Sequence, residues 1–289
     1  MIHDFDQELG GPGRLRRLFH VGNKGSFLRG RKPISSTKPG LAVHTPSSTD
    51  TTATVDIVAI HGFDGSYRNW VFQSSGSGMP KEANWLTGPQ GIAKEIPNAR
   101  IITFSYDVNV RSGYELIRRV LYGNSLRLLQ DLSSLRKETE SQGRPIVFIA
   151  HSLGGLILKG ALVSCNEPAV ARFNDIYEST LAAHFFGTPS SSSSPHDFHV
   201  ALDNMFALMC NSGSRHGDLK KPREPLSKFD ANWLETKLQP FKALMTTIGV
   251  FSYYEGLETL DIGMVQIPLF ISFVFLYSRS RALLIFTGC

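Results

Sequence analysis

A serine flanked by small residues stands at the centre of the sequence. Ser152 lies in the run AHSLGG at 150–155, between a β-branched apolar stretch and an apolar stretch with helical character. Small residues on both sides of a serine permit the sharp, strained strand-to-helix turn called a nucleophile elbow, which holds the hydroxyl out of a sheet. The N-terminus of the following helix favours negative charge that develops there. The pattern therefore predicts nucleophilic attack by Ser152 on a carbonyl carbon.

A second short motif could stabilise the charge that this attack creates. His61, Gly62 and Phe63 directly follow the apolar run at 55–60. Next to a nucleophile elbow, an oxyanion hole uses the N–H group of the residue after the nucleophile and one from an early strand–loop junction. The predicted donors are Leu153 and Phe63. In the alternative interpretation Gly62 is only a turn residue, and His61 is expected to pack or hydrogen-bond within the loop rather than to act in catalysis.

The serine also needs a base. A serine hydroxyl has too high a pKa to attack an ester at pH 7 unless a positioned group takes its proton. The expected chain order places the histidine last, yet the last histidine here is His216. His196, His199 and His216 lie in an insertion between predicted strands and could fold over Ser152, although histidines in such insertions are commonly solvated. His151 ends a predicted strand and is expected to point away from Ser152.

Five short apolar runs predict the buried strands that would position these motifs. They lie at 55–60, 100–106, 145–150, 180–186 and 246–254. Apolar residues between 117 and 135 recur at intervals of three, four and seven, which predicts a helix that ends by Gly143, and a further helix follows Ser152. Near-continuous apolar strands that alternate with helices are typical of a parallel sheet covered on both faces. The expected fold is a doubly wound α/β domain.

The N-terminal segment differs from this domain. Residues 1–54 are rich in Gly, Pro, Ser, Thr and basic residues and show no apolar period, so we expect a disordered basic arm. Residues 1–50 carry eight basic and four acidic side chains and so hold most of the net charge of +5. The arm is either a plain solvated leader or similar to a mitochondrial presequence, against which the early acidic residues count. The remaining chain is nearly neutral, which excludes a nucleic-acid-binding surface.

The C-terminal segment, 262–289, is an atypical hydrophobic tail. Its largely apolar stretch at 262–277 is shorter than the ~20 residues that cross a bilayer, and Gln266 and Pro268 interrupt it. Three interpretations stay open: a membrane anchor or interfacial segment, a final sheet strand within 267–277, or an alternative end of the chain. Membrane association through this tail is therefore one possible partner interaction.

Composition excludes several classes of protein. The 289 residues, 42% of them hydrophobic, suffice for one large core or two small ones. Three cysteines are too few and too scattered for a disulfide framework or a Cys-rich zinc site, which favours a reducing compartment over secretion. The sequence contains no phosphate-binding loop, dinucleotide fingerprint or cluster of metal ligands, so we expect no cofactor and no metal.

An ordered series of segments resembles an α/β-hydrolase family. The segments are VDIVAIHGF, IPNARIITFSYD, RPIVFIAHSLGGLILKGAL, HFFGTP and FSYYE, which together cover about 55–255. They are similar to the DUF676-like lipase type, which includes serine-active-site-containing lipid-remodelling proteins and the hydrolase-like modules of fungal NACHT/ankyrin proteins. The resemblance implies an α/β-hydrolase domain at 55–289 that acts on a small ester or lipid. It also implies an intracellular location on mitochondrial or endoplasmic reticulum membranes, or alternatively in the cytosol.

Carried over residue by residue, the resemblance assigns the nucleophile to Ser152 and the orienting acid to Glu255, after the last predicted strand. Three departures stand out: Ala150 replaces a glycine of the elbow, serines at 190–194 replace a histidine and a glycine, and no histidine follows Glu255. Two interpretations remain. The chain is a serine esterase or lipase-like hydrolase with an unidentified base, or it is a catalytically inactive interaction module or a truncated product.

Overall fold

The computed structural model describes a series of separate ranges of the chain. These are 39–44, 53–62, 70–72, 83–89, 91–108, 115–165, 172–189, 195–212, 228–253, 272–278 and 281–287. Within them lie ten strands and seven α-helices. The strands are β1 (Gly40–Val43), β2 (Val55–Ile60), β3 (Val71–Phe72), β4 (Ala83–Asn84), β5 (Ala99–Ser105), β6 (Ile146–His151), β7 (Thr180–Phe186), β8 (Gly249–Tyr253), β9 (Ser272–Ser278) and β10 (Arg281–Thr287). The helices are α1 (Ile92–Glu95), α2 (Asn124–Glu138), α3 (Leu153–Cys165), α4 (Asn174–Ser179), α5 (Pro195–Ser212), α6 (Lys228–Leu238) and α7 (Phe241–Leu244).

Six strands form the central sheet in the order β1-β5-β2-β6-β7-β8. The five strands from β5 to β8 in this order are parallel, and β1 runs antiparallel to β5 at one edge. The chain moves from β2 to β5 on one side and then returns to β6 on the other, so the winding direction reverses beside β2. Open α/β sheets bind their ligands at such a reversal, beyond the carboxyl ends of the strands. The predicted doubly wound architecture is confirmed.

Burial on both faces explains why the strands are apolar throughout. In β2, Val58 and Ile60 belong to the core on one side of the sheet, whereas Ile57 and Ala59 belong to the core on the other side, and all four are at most 1% exposed. A strand covered on both faces has no solvent side, so it carries no alternation of polar and apolar residues. Four of the five predicted strands are present within one residue of their predicted bounds, and β8 is shorter than predicted.

The helix predicted between the strands now numbered β5 and β6 has two parts. Residues Glu115–Gly123 form a π-helical segment, which continues directly into α2. At the junction the Asn124 side-chain amide donates to the Val120 carbonyl at 2.8 Å. The Ser125 hydroxyl lies 2.8 Å from the Leu121 carbonyl and 2.8 Å from the Ile157 carbonyl of α3. Side-chain bonds to the preceding turn thus accompany the change in helix type, which apolar spacing alone does not reveal.

Part of the expected disordered arm is a strand of the main sheet. Strand β1 pairs with β5 from Gly40↔Ser105 to Val43↔Ile102, so the expectation that order begins only at Val55 is wrong for these residues. The free edge of β5 offers a row of backbone donors and acceptors, and pairing with it requires no apolar period. The rest of the arm, 1–38 and 45–52, lies outside the described residues.

The described residues of the tail form a hairpin-like pair of strands. Strands β9 and β10 pair antiparallel with each other, from Ser272↔Thr287 to Ser278↔Arg281. Strand β9 thus overlaps the range 267–277, for which a final sheet strand was one interpretation. It belongs to a separate two-stranded sheet and not to the central one. Among the helices that the structure describes, none has the length and apolar character needed to span a bilayer.

Candidate active site

The carboxyl ends of four parallel strands bring the predicted motifs to one edge of the sheet. His61 and Gly62 follow β2, Tyr106 follows β5, Ser152 follows β6, and Gly187 follows β7. Because β2 and β7 both pair with β6, the loops after them flank Ser152 directly. The structure thus places the serine motif and the early glycine motif side by side, as their positions in the sequence predict.

Ser152 occupies a strained turn between β6 and α3. Its φ angle is +51°, in the left-handed region, and within the described chain only Glu140 shares this property among non-glycine residues. Such a conformation costs about 1–3 kcal/mol and persists only where the surroundings impose it. Ser152 is 6% exposed, at the junction of His151 in the strand and Leu153 in the helix. This is the geometry of a nucleophile elbow.

Close packing of the neighbouring loops holds the elbow in place. The Ser152 N–H donates to the Phe186 carbonyl at 2.8 Å. A Cβ atom on Gly154 would collide with the backbone carbonyl oxygens of Ile60 and His61. A Cβ atom on Gly62 would lie 2.6 Å from Nδ1 of His151 and 3.2 Å from Cβ of Ser152. Glycine is therefore required at position 154, where backbone oxygens leave no room for a side chain, whereas a Cβ atom at position 62 would force the His151 ring to shift.

One of the two predicted oxyanion donors lies at the start of a helix. Leu153 is buried and is the first residue of α3, so its N–H has no acceptor within its own helix. Together with the helix dipole, this group can stabilise negative charge beside Ser152. Phe63, the second predicted donor, lies outside the described residues, and the description of its loop ends at Gly62.

His61 is fixed as a neutral part of the loop. The Tyr106 N–H donates to its Nε2 at 3.2 Å, so the proton lies on Nδ1, which donates to the Gly62 carbonyl at 2.7 Å. The ring also stacks on Tyr106 with a centroid distance of 4.3 Å. The Tyr106 hydroxyl donates to the His61 carbonyl at 2.8 Å. Because both ring nitrogens are engaged, His61 has the packing role expected of it and is not available as the base.

The other histidines considered as bases are only partly described. His199 on α5 has its Nε2 3.4 Å from Oε2 of Glu235 on α6. His216 lies outside the described residues, as does the side chain of His196. In the described part of the chain, no imidazole forms a hydrogen bond with the Ser152 hydroxyl. The structure therefore places the predicted nucleophile next to one of the two predicted oxyanion donors, and the base stays a prediction.

The predicted acid, Glu255, also lies outside the described residues. Strand β8 ends two residues before it, at Tyr253. The Tyr253 carbonyl accepts a hydrogen bond from the Gly187 N–H at 3.0 Å, next to the loop that contacts the elbow. The chain thus leaves β8 at the edge where Ser152 lies, which is consistent with the prediction for Glu255 but does not test it.

Sequence reasoning missed two titratable groups near this edge. His184 is fully buried in β7, with Nδ1 3.0 Å from the Tyr253 hydroxyl, and burial lowers its pKa to about 3, so it is a neutral core residue. Lys159 is the single charged residue of α3, and its ammonium donates to the Pro189 carbonyl at 3.2 Å. The available signal for Lys159 was its position in an otherwise apolar helix directly after the elbow.

Comparison with protein families identifies one match. Residues 55–209 match the family described as "Putative serine esterase (DUF676)", a range that covers more than half of the chain and includes Ser152. Protein SERAC1 of Mus musculus is 24% identical in an alignment of 177 residues, and this match covers 55% of this chain and 25% of that protein. Protein SERAC1 of Homo sapiens is 26% identical in an alignment of 158 residues, and this match covers 51% of this chain and 23% of that protein. The match thus spans about a quarter of the length of these curated relatives.

Solved structures to which this chain is similar include a lipase and a depolymerase. Lipase BlEst2 of Bacillus licheniformis in its mature form is 15% identical, with a TM-score of 0.43, and the match covers 77% of this chain and 74% of that chain. The poly(3-hydroxybutyrate) depolymerase LpqC of Bordetella parapertussis is 11% identical, with a TM-score of 0.36, over 73% and 76% of the two chains. The sheet topology and the family match confirm the predicted α/β-hydrolase fold.

Proposed function

Because this chain belongs to the serine esterase family that residues 55–209 match, we propose that it is a serine hydrolase of the esterase or lipase type, with Ser152 as its nucleophile. The observation that carries the proposal is the strained φ of +51° at Ser152, immediately before the N-terminus of α3. Strain of this kind is retained where it positions a reacting group. The proposed substrate is a small carboxylic ester or an acyl lipid, and the proposed reaction needs no cofactor.

The proposed reaction has two half-reactions. The Ser152 Oγ attacks the ester carbonyl carbon while the base takes the hydroxyl proton, and the resulting oxyanion accepts hydrogen bonds from the N–H groups of Leu153 and Phe63. The base then gives the proton to the departing alkoxide, which leaves an acyl-serine. Water, deprotonated by the same base, attacks the acyl carbon, and the bond to Ser152 Oγ then breaks as the base returns the proton to Oγ, which releases the carboxylic acid and restores the enzyme. Glu255 is the proposed partner that orients the base if this base is His196 or His216.

We propose that one of His196, His199 and His216 is the base, and that His199 is the first to test. The support is that Oε2 of Glu235 lies 3.4 Å from its Nε2, because a carboxylate beside an imidazole can fix the orientation of the ring. Replacement of the true base by alanine is expected to slow labelling of Ser152 by a fluorophosphonate by about 10²-fold or more. Mass spectrometry of the labelled peptide, as a function of time, measures this rate in each single variant.

His44→Ala is the control for this series. The Nε2 of His44 lies 2.7 Å from the Thr103 hydroxyl, beyond the end of the edge strand β1, so its loss is expected to leave labelling unchanged. If His199 is the base, Glu235→Gln slows labelling as well, whereas it has no effect if another histidine acts. Undiminished labelling in the triple alanine variant would show that no imidazole of this group serves Ser152.

A second proposed function rests on a specific feature of the sequence. No histidine follows Glu255, where the expected order of the catalytic residues would place one. This absence favours a hydrolase-like interaction module without activity. A folded wild-type protein whose Ser152 does not react with the fluorophosphonate would support this alternative, and the search would then turn from substrates to binding partners.

The proposal also includes membrane contact through residues 262–289, inside the cell on a mitochondrial or endoplasmic reticulum membrane. Deletion of these residues is expected to abolish co-sedimentation with phosphatidylcholine vesicles. The fold should survive, because β9 and β10 pair with each other and the central sheet does not include them. Circular dichroism checks the fold of the shortened chain. Equal sedimentation of both chains would contradict membrane contact by the tail.

A further inference from the structure

Lys159 has an unusual environment for a lysine. It lies two helical turns after Ser152, on α3, with its ammonium 5.2 Å from the ring centre of Phe185 and 5.8 Å from that of Phe241. Its one hydrogen-bond acceptor in the described structure is the carbonyl oxygen of Pro189, at 3.2 Å. Removal of the ammonium from water lowers the pKa of Lys159 to about 8. Lys159 therefore still carries its positive charge at neutral pH, but this charge lowers the stability of the fold.

The acceptor belongs to the loop that supports the elbow. This loop starts from Phe186, the last residue of β7, whose carbonyl accepts the Ser152 N–H at 2.8 Å. The next residue, Gly187, donates to the Tyr253 carbonyl of β8 at 3.0 Å. Thr188 then packs so closely against Gly155 that a Cβ atom there would collide with its side chain. Residues 155 and 159 are four apart and share one face of α3, so the loop 186–189 lies along that face.

We propose that Lys159 is a positioning residue for Ser152: its charged ammonium holds the loop 186–189 against α3, and this loop in turn holds the nucleophile elbow. The inference rests on the proposed esterase function for its effect on catalysis. The chemistry favours it because an ammonium binds a carbonyl oxygen more strongly than a neutral donor does, and the two aromatic faces add attraction for the cation. Loss of this anchor displaces the backbone that accepts the Ser152 N–H.

The described groups around Lys159 carry no charge of their own, which supports a role for its own positive charge. Within the ranges that the structure describes, Lys159 forms no ion pair, and α3 contains no other charged residue. The groups that face it on neighbouring elements are the ring of Phe185, the ring of Phe241 and the Pro189 carbonyl. Among the described side chains, the other titratable groups on these elements and on α6 are Asp230, Glu235, which pairs with His199, the exposed Lys237 and Lys242, and the buried His184.

The decisive experiment compares activity with stability in Lys159→Met. This variant keeps the apolar stem and removes a half-buried ammonium, whose lowered pKa means that its charge is held at a cost in stability, so the melting temperature is expected to rise by roughly 2–6 °C. Hydrolysis of p-nitrophenyl acetate is expected to show a fall in kcat of about tenfold with KM within about twofold, because the nucleophile and not the binding surface is displaced. The exposed Lys242→Met is the matched control and should alter neither quantity. A lower melting temperature together with unchanged kcat would overturn the proposal.

The pH profile distinguishes positioning by charge from a purely structural role. In the wild type, kcat is expected to fall as the pH rises through about 8, because Lys159 then loses the proton that strengthens its bond to Pro189. Lys159→Arg keeps the charge at these pH values, so the fall should be absent in this variant. Lys159→Met should have a low kcat with no such step. The same step in Lys159→Met as in the wild type would assign it to another group and contradict the proposal.

Amide hydrogen exchange separates failure of this inference from failure of the proposed function. The N–H groups of Ser152 and Gly187 report directly on the loop, and both are hydrogen-bonded in the structure. They are expected to exchange faster in Lys159→Met than in the wild type at pH 7.5, although the variant melts at a higher temperature. Faster exchange in a protein without esterase activity would support the anchor and reject the enzyme. Equal exchange in both proteins would reject the anchor even if the enzyme is active.

Discussion

Ser152→Ala is expected to abolish fluorophosphonate labelling and to lower the hydrolysis of p-nitrophenyl acetate by at least about 10³-fold. The hydroxyl of Ser152 is the group that the elbow presents at the N-terminus of α3, and alanine at this position cannot form an acyl intermediate. Residual hydrolysis would come from the Leu153 N–H and from substrate binding, which remain. Labelling followed by peptide mass spectrometry, with steady-state kinetics beside it, measures both effects.

The fold should survive this substitution. Alanine fits the space of serine, and the left-handed φ of +51° is equally strained for both side chains. The melting temperature is therefore expected to stay within a few degrees of the wild type. Ser133→Ala, at a buried serine of α2, is the control and should label normally. Persistent labelling of Ser152→Ala at another serine would mean that the elbow does not hold the nucleophile.

The strands and the elbow could be predicted because their signals are local. A strand buried on both faces is apolar throughout, so the run at 55–60 coincides with β2, and the small residues around Ser152 reflect contacts within a few ångströms of it. Strand β1 was missed because four residues at a sheet edge need only the free backbone groups of β5. An apolar period does not report such pairing.

The contacts of Lys159 could not be predicted, for a different physical reason. Its acceptor is a backbone carbonyl, that of Pro189, which every residue type possesses and which leaves no signature in the sequence. The assignments of Phe63 and Glu255 stay predictions, since both residues lie outside the described ranges. Chain order places them after β2 and β8, but the positions of their side chains depend on loops whose conformation strand patterns do not determine.

The largest effect on stability is expected where the parallel strands begin, at the end of the sheet away from Ser152. There a cluster of buried charges surrounds Asp56. Its Oδ1 accepts from Nε of Arg100 at 2.8 Å and from Arg144 at 3.1 Å. Its Oδ2 accepts from Arg100 and from Arg136, both at 2.8 Å. The side chains of Asp56, Arg100 and Arg136 are 0% exposed. One carboxylate thus compensates two fully buried guanidinium groups, with Asp175 as a further partner of Arg136 at 2.9 Å.

Asp56→Ala is expected to lower the free energy of unfolding by about 3–5 kcal/mol, because it leaves buried positive charges without their shared partner. Against a total stability of about 5–15 kcal/mol, this loss brings the protein close to unfolding at 25 °C. Urea denaturation followed by circular dichroism measures it. Asp131→Ala is the control: Asp131 forms an exposed i,i+4 pair with Arg127 at 3.4 Å, and its loss should cost less than about 1 kcal/mol. Equal midpoints for the two variants would show that the buried cluster does not contribute more than a surface pair.

The cluster lies where the strands begin, whereas Ser152 lies where they end. Any Asp56→Ala protein that remains folded should therefore still label at Ser152, which would separate the residues that stabilise this sheet from those that act at its other edge.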